Sequence, residues 1–430
     1  MRPRAGGRLA PLRLPGFRYL LYATLGSSFG TLLASVALAI DVKDRTDSGL
    51  WVSAVLVVEF LPTIVVGLFF GPLLDRLERR SLMIGADVLR AGVFAALPFA
   101  GGAPAVVALA LVAGLATGFF RPAVFAGVPN LVPEAELAPA NALLQGVENA
   151  SWAVGPLLGG LLTAAAGPAA AYWINAASFV VSALLVRRIP ARKLQSEKAL
   201  TRGHWRDLAD GFVAVMRSRP LLAVLVAWGV AELGIGGGNV AEIFLAKNTF
   251  RAGDFGYGLL YSAIGGGLVL GSLASTTVLA RLGTPTAYGV SLAAMAVGFG
   301  GTAASPNVWV AACFCLVSGV GNGCAIVCNA LLVQRGVTDA ARGRALTFVM
   351  SATYVLAGVG NAVGGLALHQ AGPRVIWAGA AGCFVVASAL GYGLARGTGP
   401  AQEGESTPER PHPAAAAPSE PAASPGSAAR

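Results

Sequence analysis

The sequence predicts an all-α membrane protein with twelve transmembrane helices arranged as two six-helix bundles. Hydrophobic residues make up 55% of the 430 residues and charged residues only 12%, about half the charged share of a soluble domain. A chain with so little charge cannot cover a water-facing surface. Its apolar runs lack the polar–apolar alternation of a membrane barrel. The 57 glycines agree with helices, because small residues let membrane helices approach one another closely.

Twelve apolar runs approach the length of roughly 20 residues that a spanning helix needs. Charged residues, Pro or Gly bound them, at about 17–41, 51–71, 83–101, 105–127, 143–165, 169–187, 221–246, 257–280, 285–304, 307–333, 345–367 and 374–395. The first run is too long for the apolar part of a signal peptide and no small-residue cleavage site closes it. We expect it to remain as span 1.

The basic residues predict which loops face the cytoplasm. Twelve spans place both termini on one side, and cytoplasmic loops are rich in Lys and Arg. If both termini are cytoplasmic, the outer loops hold only five of the 31 basic residues, Lys43, Arg45, Lys247, Arg251 and Arg374. We therefore expect a multi-pass protein of the cell (plasma) membrane with cytoplasmic termini. The net charge of +10 comes mainly from the cytoplasmic segments. We therefore expect the lipid bilayer, and no nucleic acid, as a partner.

The composition divides the chain into five segments. They are a cytoplasmic N-terminus (1–16), an N-terminal bundle (17–187), a cytoplasmic linker with an amphipathic helix (188–220), a C-terminal bundle (221–395) and a disordered cytoplasmic tail (396–430). The halves share weak repeats, such as Gly71-Pro-Leu-Leu-Asp75 and Gly271-Ser-Leu-Ala-Ser275. A duplicated six-helix unit places the substrate site between the halves, near the membrane midplane.

The turn between spans 2 and 3 carries the most specific motif. It reads Gly71-Pro-Leu-Leu-Asp75-Arg76-Leu-Glu-Arg79-Arg80, and so many charges must lie at a membrane face. The pattern resembles the loop signature of the major facilitator superfamily, a family of secondary transporters. The resemblance implies that Gly71, Asp75, Arg76, Arg79 and Arg80 gate the change between conformations and do not bind substrate. A plain basic anchor is the alternative, but an anchor does not need Asp75.

Span 5 carries a second motif of the same family. The segment Ser151-Trp-Ala-Val-Gly155-Pro156-Leu-Leu-Gly159-Gly160 resembles its antiporter signature, with Ser in place of the first Gly. Pro156 removes a backbone donor and bends the helix. The glycines permit close packing, for which span 8 with Gly265–Gly267 and Gly271 is the expected partner. In the resembled family this motif accompanies proton-driven export; generic small-residue packing is the alternative.

Ionisable residues inside spans are functional candidates. Glu59 and Glu232, followed by Glu148, are the predicted proton-coupling residues, because a proton carrier needs a carboxyl removed from water. A paired structural carboxylate is the alternative for each. Asp87 and Arg90 lie three residues apart on one helix face, so they can pair, and a structural or gating role is expected.

The predicted substrate path is aromatic. Its candidate residues are Phe29, Phe60, Trp152 and Trp228. No catalytic, metal or cofactor site is predicted, because the three His residues are far apart in the sequence and the phosphate-loop pattern is absent. We therefore do not expect an enzyme.

The resemblance covers about residues 15–395 and is greatest to drug and siderophore exporters of the superfamily. It implies a secondary active transporter that exports amphiphilic or hydrophobic small molecules, such as a drug, an antibiotic or a siderophore-like compound. Proton antiport with alternating access is the expected mechanism, and a monomer is the expected state. An importer of a small metabolite and a lipid-handling membrane protein stay open as alternatives.

Overall fold

A computed structural model of the chain describes residues 9–74, 77–194, 204–337 and 339–396. Regular structure within these ranges is helical. The first six α-helices are α1 (Pro15–Thr46), α2 (Gly49–Leu74), α3 (Arg79–Ala96), α4 (Ala103–Leu131), α5 (Leu137–Ala166) and α6 (Pro168–Arg187). The linker holds α7 (His204–Arg217). The remaining six are α8 (Arg219–Phe244), α9 (Gly253–Leu282), α10 (Thr284–Ala304), α11 (Val308–Gly336), α12 (Asp339–Ala371) and α13 (Pro373–Ala395).

The helices have the length and surface of membrane spans. Within the described ranges, ten of them are long and apolar enough to cross a membrane, and α2 and α5 match them in length with 26 and 30 residues. Large apolar side chains are exposed on the outer faces, as expected of residues that contact lipid, and examples are Val88, Trp173, Leu273 and Leu366. The predicted fold class, an all-α membrane protein, is confirmed.

The two halves of the chain pack in the same way. In the first bundle α1 lies against α5 and α6, α2 against α4, and α3 against α4 and α6. In the second bundle α8 lies against α12 and α13, α9 against α11, and α10 against α11 and α13. The second set repeats the first helix for helix, which is what a duplicated six-helix unit produces.

The bundles meet most closely at one end, which we call the closed end. There α5 packs against α9, and α2 packs against α12. A Cβ atom added to Gly160 would lie 3.0 Å from the Cα atom of Gly258, and one added to Gly49 would lie 2.9 Å from the carbonyl oxygen of Gly365. Only glycine permits two backbones to approach so closely, so these contacts depend on the absence of side chains.

Helix α7 joins the linker to the second bundle. Val215 is fully buried, and the ring centroid of Phe212 lies 5.5 Å from that of Phe348 in α12. The apolar face of this short helix therefore packs only in part against α12, because Phe212 and Met216 stay 47% and 41% exposed.

Candidate functional site

A cavity of about 220 Å³ lies between the bundles, and the first bundle supplies most of its wall. Tyr261 of α9 and Tyr354 of α12 contribute from the second bundle. The side chain of Arg121 is 53% exposed and lines the cavity toward the end of α4 remote from the closed end. The cavity is therefore open at that end, which we call the open end.

One wall of the cavity is a row of hydroxyl groups on α1. These residues recur every three or four positions, which places them on one helix face, and they are Thr24, Ser27, Ser28, Thr31 and Ser35. This row is not among the residues predicted from the sequence, although the periodic spacing of Ser and Thr in an otherwise apolar helix indicates it.

A second set of lining residues, which we call the aromatic wall, carries rings. Its rings belong to Phe94, Phe120, Trp152, Phe179, Tyr261 and Tyr354. The ring centroids of Trp152 and Tyr261 are 5.7 Å apart and bring α5 and α9 together at the cavity. A cavity lined by both hydroxyl groups and aromatic rings suits a molecule with a polar and an apolar part.

The three predicted proton-coupling residues have different environments. Glu59 lines the cavity and accepts a hydrogen bond of 2.7 Å from Ser35 Oγ. Glu148 also lines the cavity but forms an ion pair of 3.0 Å with Arg121. Glu232 is not among the lining residues, and its carboxylate accepts a hydrogen bond from the indole N–H of Trp228. Within the described residues, Glu59 is thus the cavity carboxyl that forms no ion pair.

Asp87 and Arg90 form the ion pair that their spacing predicts, at 2.5 Å. Both are buried, and Arg90 reaches the cavity wall. Its guanidinium carbon lies 4.3 Å from the ring centroids of both Phe120 and Phe179. The arginine is held by one carboxylate and two aromatic faces, so it ties α3 to α4 and α6.

The predicted gating motif is described only in part. Asp75 and Arg76 lie outside the described residues, and Gly71 lies in the last turn of α2. Arg79 donates to the carbonyl oxygens of Ala126 and Leu194 at 2.9 and 3.0 Å. Arg80 donates to the carbonyl oxygen of Arg187 at 2.7 Å. These bonds tie the start of α3 to other parts of the first bundle, and the gating role remains a prediction.

The predicted antiporter motif lies between α1 and α9. Gly155 and Gly159 face Leu32 and Leu33 of α1, and Ser151 bonds its own helix through the Val147 carbonyl at 2.9 Å. On the other side of α5, Gly160 faces Gly258. The motif thus packs its helix on both bundles.

The expected glycine partners on span 8 need a correction. Gly265 faces the backbone carbonyl of Trp152, but Gly267 and Gly271 face α11 at Leu316 and Val320. A helix turns about 100° per residue, so positions two residues beyond Gly265 point away from α5.

An ionic cluster lies at the closed end. Lys247 Nζ lies 2.7 Å from Asp44 of α1 and 2.5 Å from Asp254 of α9. Beside it, the ammonium of Lys43 lies 5.8 Å from the Phe244 ring centroid. The sequence predicts only that Lys43 and Lys247 lie in outer loops. In the fold, the contact of Lys43 with Phe244 and that of Lys247 with Asp44 join the two bundles.

Two of the predicted substrate-path aromatics lie away from this cavity. Trp152 lines it, but Phe29 and Trp228 are partly buried among core residues instead. The side chain of Phe60 lies outside the described residues. Of the four path candidates only Trp152 is shown to line the cavity, and the sequence did not predict the lining aromatics Phe94 of α3 and Phe179 of α6.

Glu242 of α8 is a buried carboxyl that sequence reasoning left aside. Its exposure is 1%, and its Oε1 atom has no hydrogen-bond partner within the described residues. Its position near the closed end separates it from the cavity mouth.

Two similar helical bundles around a cavity that is closed at one end and open at the other define a membrane transporter of small molecules. The comparisons with known proteins agree with this class. The profile of the Major Facilitator Superfamily matches residues 18–337 and 239–425. The chain belongs to the major facilitator superfamily.

Several curated proteins are similar in sequence. The multidrug efflux pump Tap of Mycolicibacterium fortuitum is 27% identical over 384 residues, which cover 86% of this chain and 91% of that protein. The uncharacterized MFS-type transporter YkuC of Bacillus subtilis (strain 168) is 26% identical over 279 residues, 61% of this chain and 64% of that one. Macrolide efflux protein A of Streptococcus pyogenes is 26% identical over 200 residues, 45% of this chain and 49% of that one.

Solved structures of low identity share the fold. A bacterial homologue of the iron transporter ferroportin in an inward-facing state has a TM-score of 0.70 at 17% identity, covering 90% of this chain and 99% of that one. The peptide transporter POT in complex with sulfate has a TM-score of 0.72 at 12% identity, covering 89% and 95%. These likenesses concern the fold alone.

Proposed function

We propose that this transporter exports amphiphilic or hydrophobic small molecules, including drugs, by proton antiport with alternating access. The observation that carries the proposal is the cavity, which combines a hydroxyl wall, an aromatic wall and the carboxyl of Glu59. Similarity to proteins named as multidrug and macrolide efflux pumps supports the same substrate class.

The two walls explain how such a substrate binds. The apolar part lies against Trp152 and the rings around it, where its surface leaves water. The polar part lies against α1 and Glu59, whose groups replace the hydrogen bonds lost with water. A cavity of this kind tolerates different scaffolds, because neither wall fixes more than the amphiphilic character of the ligand.

Glu59 is the proposed site of proton coupling. Glu148 is neutralised by Arg121, and Glu232 does not line the cavity. A cationic substrate and a proton therefore compete for one carboxylate. Binding of either neutralises Glu59 and shifts the balance between conformations. Exchange of one proton for one monovalent cation moves no net charge, so the pH difference drives it, and one pH unit supplies about 1.4 kcal/mol, enough for about tenfold accumulation.

The conformation described here is proposed to be the inward-open state in the plasma membrane of the cell. Its closed end is sealed by the glycine contacts and by Lys247 with Asp44. Its open end lies on the side of the termini, which the basic residues predict to be cytoplasmic. The outward-open state requires the seal to part and the motif of Asp75, Arg76, Arg79 and Arg80 to close the other end. The proposed functional unit is the monomer.

Everted membrane vesicles test the proposed function. The full chain is expressed, an inside-acid proton gradient is imposed, and uptake of ethidium is followed by fluorescence. Ethidium is a permanent cation, so a pH gradient alone does not trap it, and its two ring amino groups carry N–H donors. We expect uptake that collapses with an uncoupler and is absent from vesicles without the protein. Gradient-independent equilibration would favour a facilitator or an importer, and absence of any ethidium movement would contradict the proposal.

A further inference from the structure

We infer that the cavity selects cations that carry an N–H donor and discriminates against quaternary ammonium ions of the same scaffold. The inference rests on the proposed function, because it concerns the substrate of the same cavity. It follows from an inventory of the donors and acceptors on the cavity wall.

Most hydroxyl groups that line the cavity already donate their proton to an acceptor within the protein. Five lining hydroxyls donate within the protein, and their acceptors are Leu20 O for Thr24 (2.9 Å), Thr24 O for Ser27 (3.2 Å), Ser27 O for Thr31 (2.7 Å), Glu59 for Ser35 (2.7 Å) and Ala113 O for Thr117 (2.9 Å). A hydroxyl has one proton and two lone pairs. What these groups offer a ligand is therefore acceptor capacity.

The two arginines at the cavity are cations, so they do not bind the ammonium group of a cationic substrate. Arg121 donates through Nη2 to both carboxylate oxygens of Glu148. Arg90 donates to Asp87, its buried Nε atom has no partner within the described residues, and Phe120 and Phe179 lie against its guanidinium.

Glu59 adds a negative charge to the acceptor wall. Ser35 bonds its Oε2 atom, which leaves its Oε1 atom for a ligand. The hydroxyls of Ser28, Tyr261 and Tyr354 can donate or accept, and the Trp152 indole can only donate. The side of the cavity formed by α1 and Glu59 is thus rich in acceptors for an ammonium group.

A protonated amine matches this wall better than a quaternary ion does. Its N–H group forms a charge-assisted hydrogen bond with a hydroxyl oxygen or with Glu59. A quaternary ammonium ion carries the same charge but has no donor, so acceptors that lose water on binding stay unpaired. The expected preference for the protonated amine is about tenfold or more.

A matched pair of probes tests the inference. Dansyl-(3-dimethylaminopropyl)amide and its N-methylated trimethylammonium derivative differ only at the terminal nitrogen. Their dissociation constants are measured by dansyl fluorescence with the purified full-length protein at pH 6, where both are cations. We expect the tertiary ammonium ion to bind about tenfold more tightly.

Two threonines on one helix supply a matched variant and control. Thr31 and Thr46 both donate to the carbonyl four residues earlier at 2.7 Å, but only Thr31 lines the cavity. Thr31→Val keeps the side-chain shape and removes one acceptor, so it is expected to weaken the tertiary probe several-fold and leave the quaternary probe unchanged. Thr46→Val is expected to change neither. Thr24→Val repeats the test if Thr31→Val lowers the yield of folded protein.

Equal affinities for the two probes would overturn the inference and leave the proposed efflux standing. If Thr31→Val instead weakened the binding of both probes by the same factor, that result would also overturn the inference, because it would show that Thr31 has a purely structural role. If the protein bound neither probe and moved no ethidium in vesicles, the proposed function would fail and the inference with it.

Discussion

The backbone N–H of Leu157 donates a hydrogen bond of 2.8 Å to Oγ of Ser262, across the interface between the bundles. Its neighbour Pro156 has no N–H, so the carbonyl of Trp152 lacks its normal helical donor. That carbonyl instead lies against Gly265 of α9. The proline therefore does more than bend α5, because it places irregular backbone where the two bundles meet.

Replacement of Ser262 by Ala is expected to weaken the closed end. A net hydrogen-bond contribution of about 0.5–1.5 kcal/mol corresponds to about a two- to tenfold rise in the open population at this end. Distances between spin labels at positions 47 and 251, in the loops of the closed end, measure this population. The control is Ser291→Ala, which removes a hydroxyl bonded within its own helix. An unchanged distance distribution in Ser262→Ala would show that the bond does not stabilise closure.

Gly160→Ala is expected to prevent the closed end from forming. The added methyl group would lie 2.6 Å from the Asp254 carbonyl oxygen and 3.0 Å from Gly258 Cα, so α9 must move outward. We expect at least a tenfold loss of proton-driven ethidium uptake with the protein still folded. Gly146→Ala is the control on the same helix, since its Cβ would meet nothing within 4 Å. Normal uptake by Gly160→Ala would show that close approach at this point is dispensable.

Local patterns predicted most of the fold, but contacts between distant residues escaped them. Apolar runs gave the spans, and the spacing of Asp87 and Arg90 gave their ion pair. Arg121 and Glu148 lie 27 positions apart, and Asp44 and Lys247 lie 203 apart. No periodicity relates such positions. Such pairs depend on the three-dimensional arrangement of the helices. Local patterns in a single sequence do not predict that arrangement.

Lys247→Met is expected to loosen the closed end by removing the shared partner of Asp44 and Asp254. The side chain of Asp44 is 48% exposed, so the effect is expected to be modest and to shrink in high salt, as screening predicts. The spin labels at 47 and 251 again report it. In the Lys247→Met background, Asp44→Asn is expected to add little, because both variants remove the same bond. Fully additive effects would argue against a direct interaction.

Glu59→Gln is expected to abolish proton coupling. Glutamine still accepts a hydrogen bond from Ser35 but cannot bind and release a proton. Proton-driven ethidium uptake is expected to fall at least tenfold, whereas ethidium exchange down its own gradient is retained. Glu134→Gln, at an exposed position, serves as the control. Full coupling in Glu59→Gln would transfer the proposed role to Glu232 or to the buried Glu242.

Arg90→Met is expected to destabilise the first bundle strongly. It leaves Asp87 buried without its partner, which costs about 3–5 kcal/mol in comparable buried pairs. Thermal unfolding followed by tryptophan fluorescence is expected to shift to lower temperature. The double variant Asp87→Asn with Arg90→Met is expected to recover part of the loss. Arg121→Met, at an exposed ion pair, is the control and is expected to have little effect. Equal losses in the two arginine variants would contradict the cost assigned to a buried, unpaired Asp87.

The two bundles repeat one packing plan, yet the cavity takes nearly all of its polar groups from the first. This unequal contribution of polar groups predicts two kinds of mutation with different effects. In the proposed exporter, changes at Thr24, Thr31 or Ser35 are expected to alter which compounds are recognised and to leave the contacts between the bundles unchanged. Changes around Gly258 and Ser262 are expected to alter the rate of the cycle and to leave the range of compounds unchanged. Selection by a new toxic compound is therefore expected to leave its first mutations on α1.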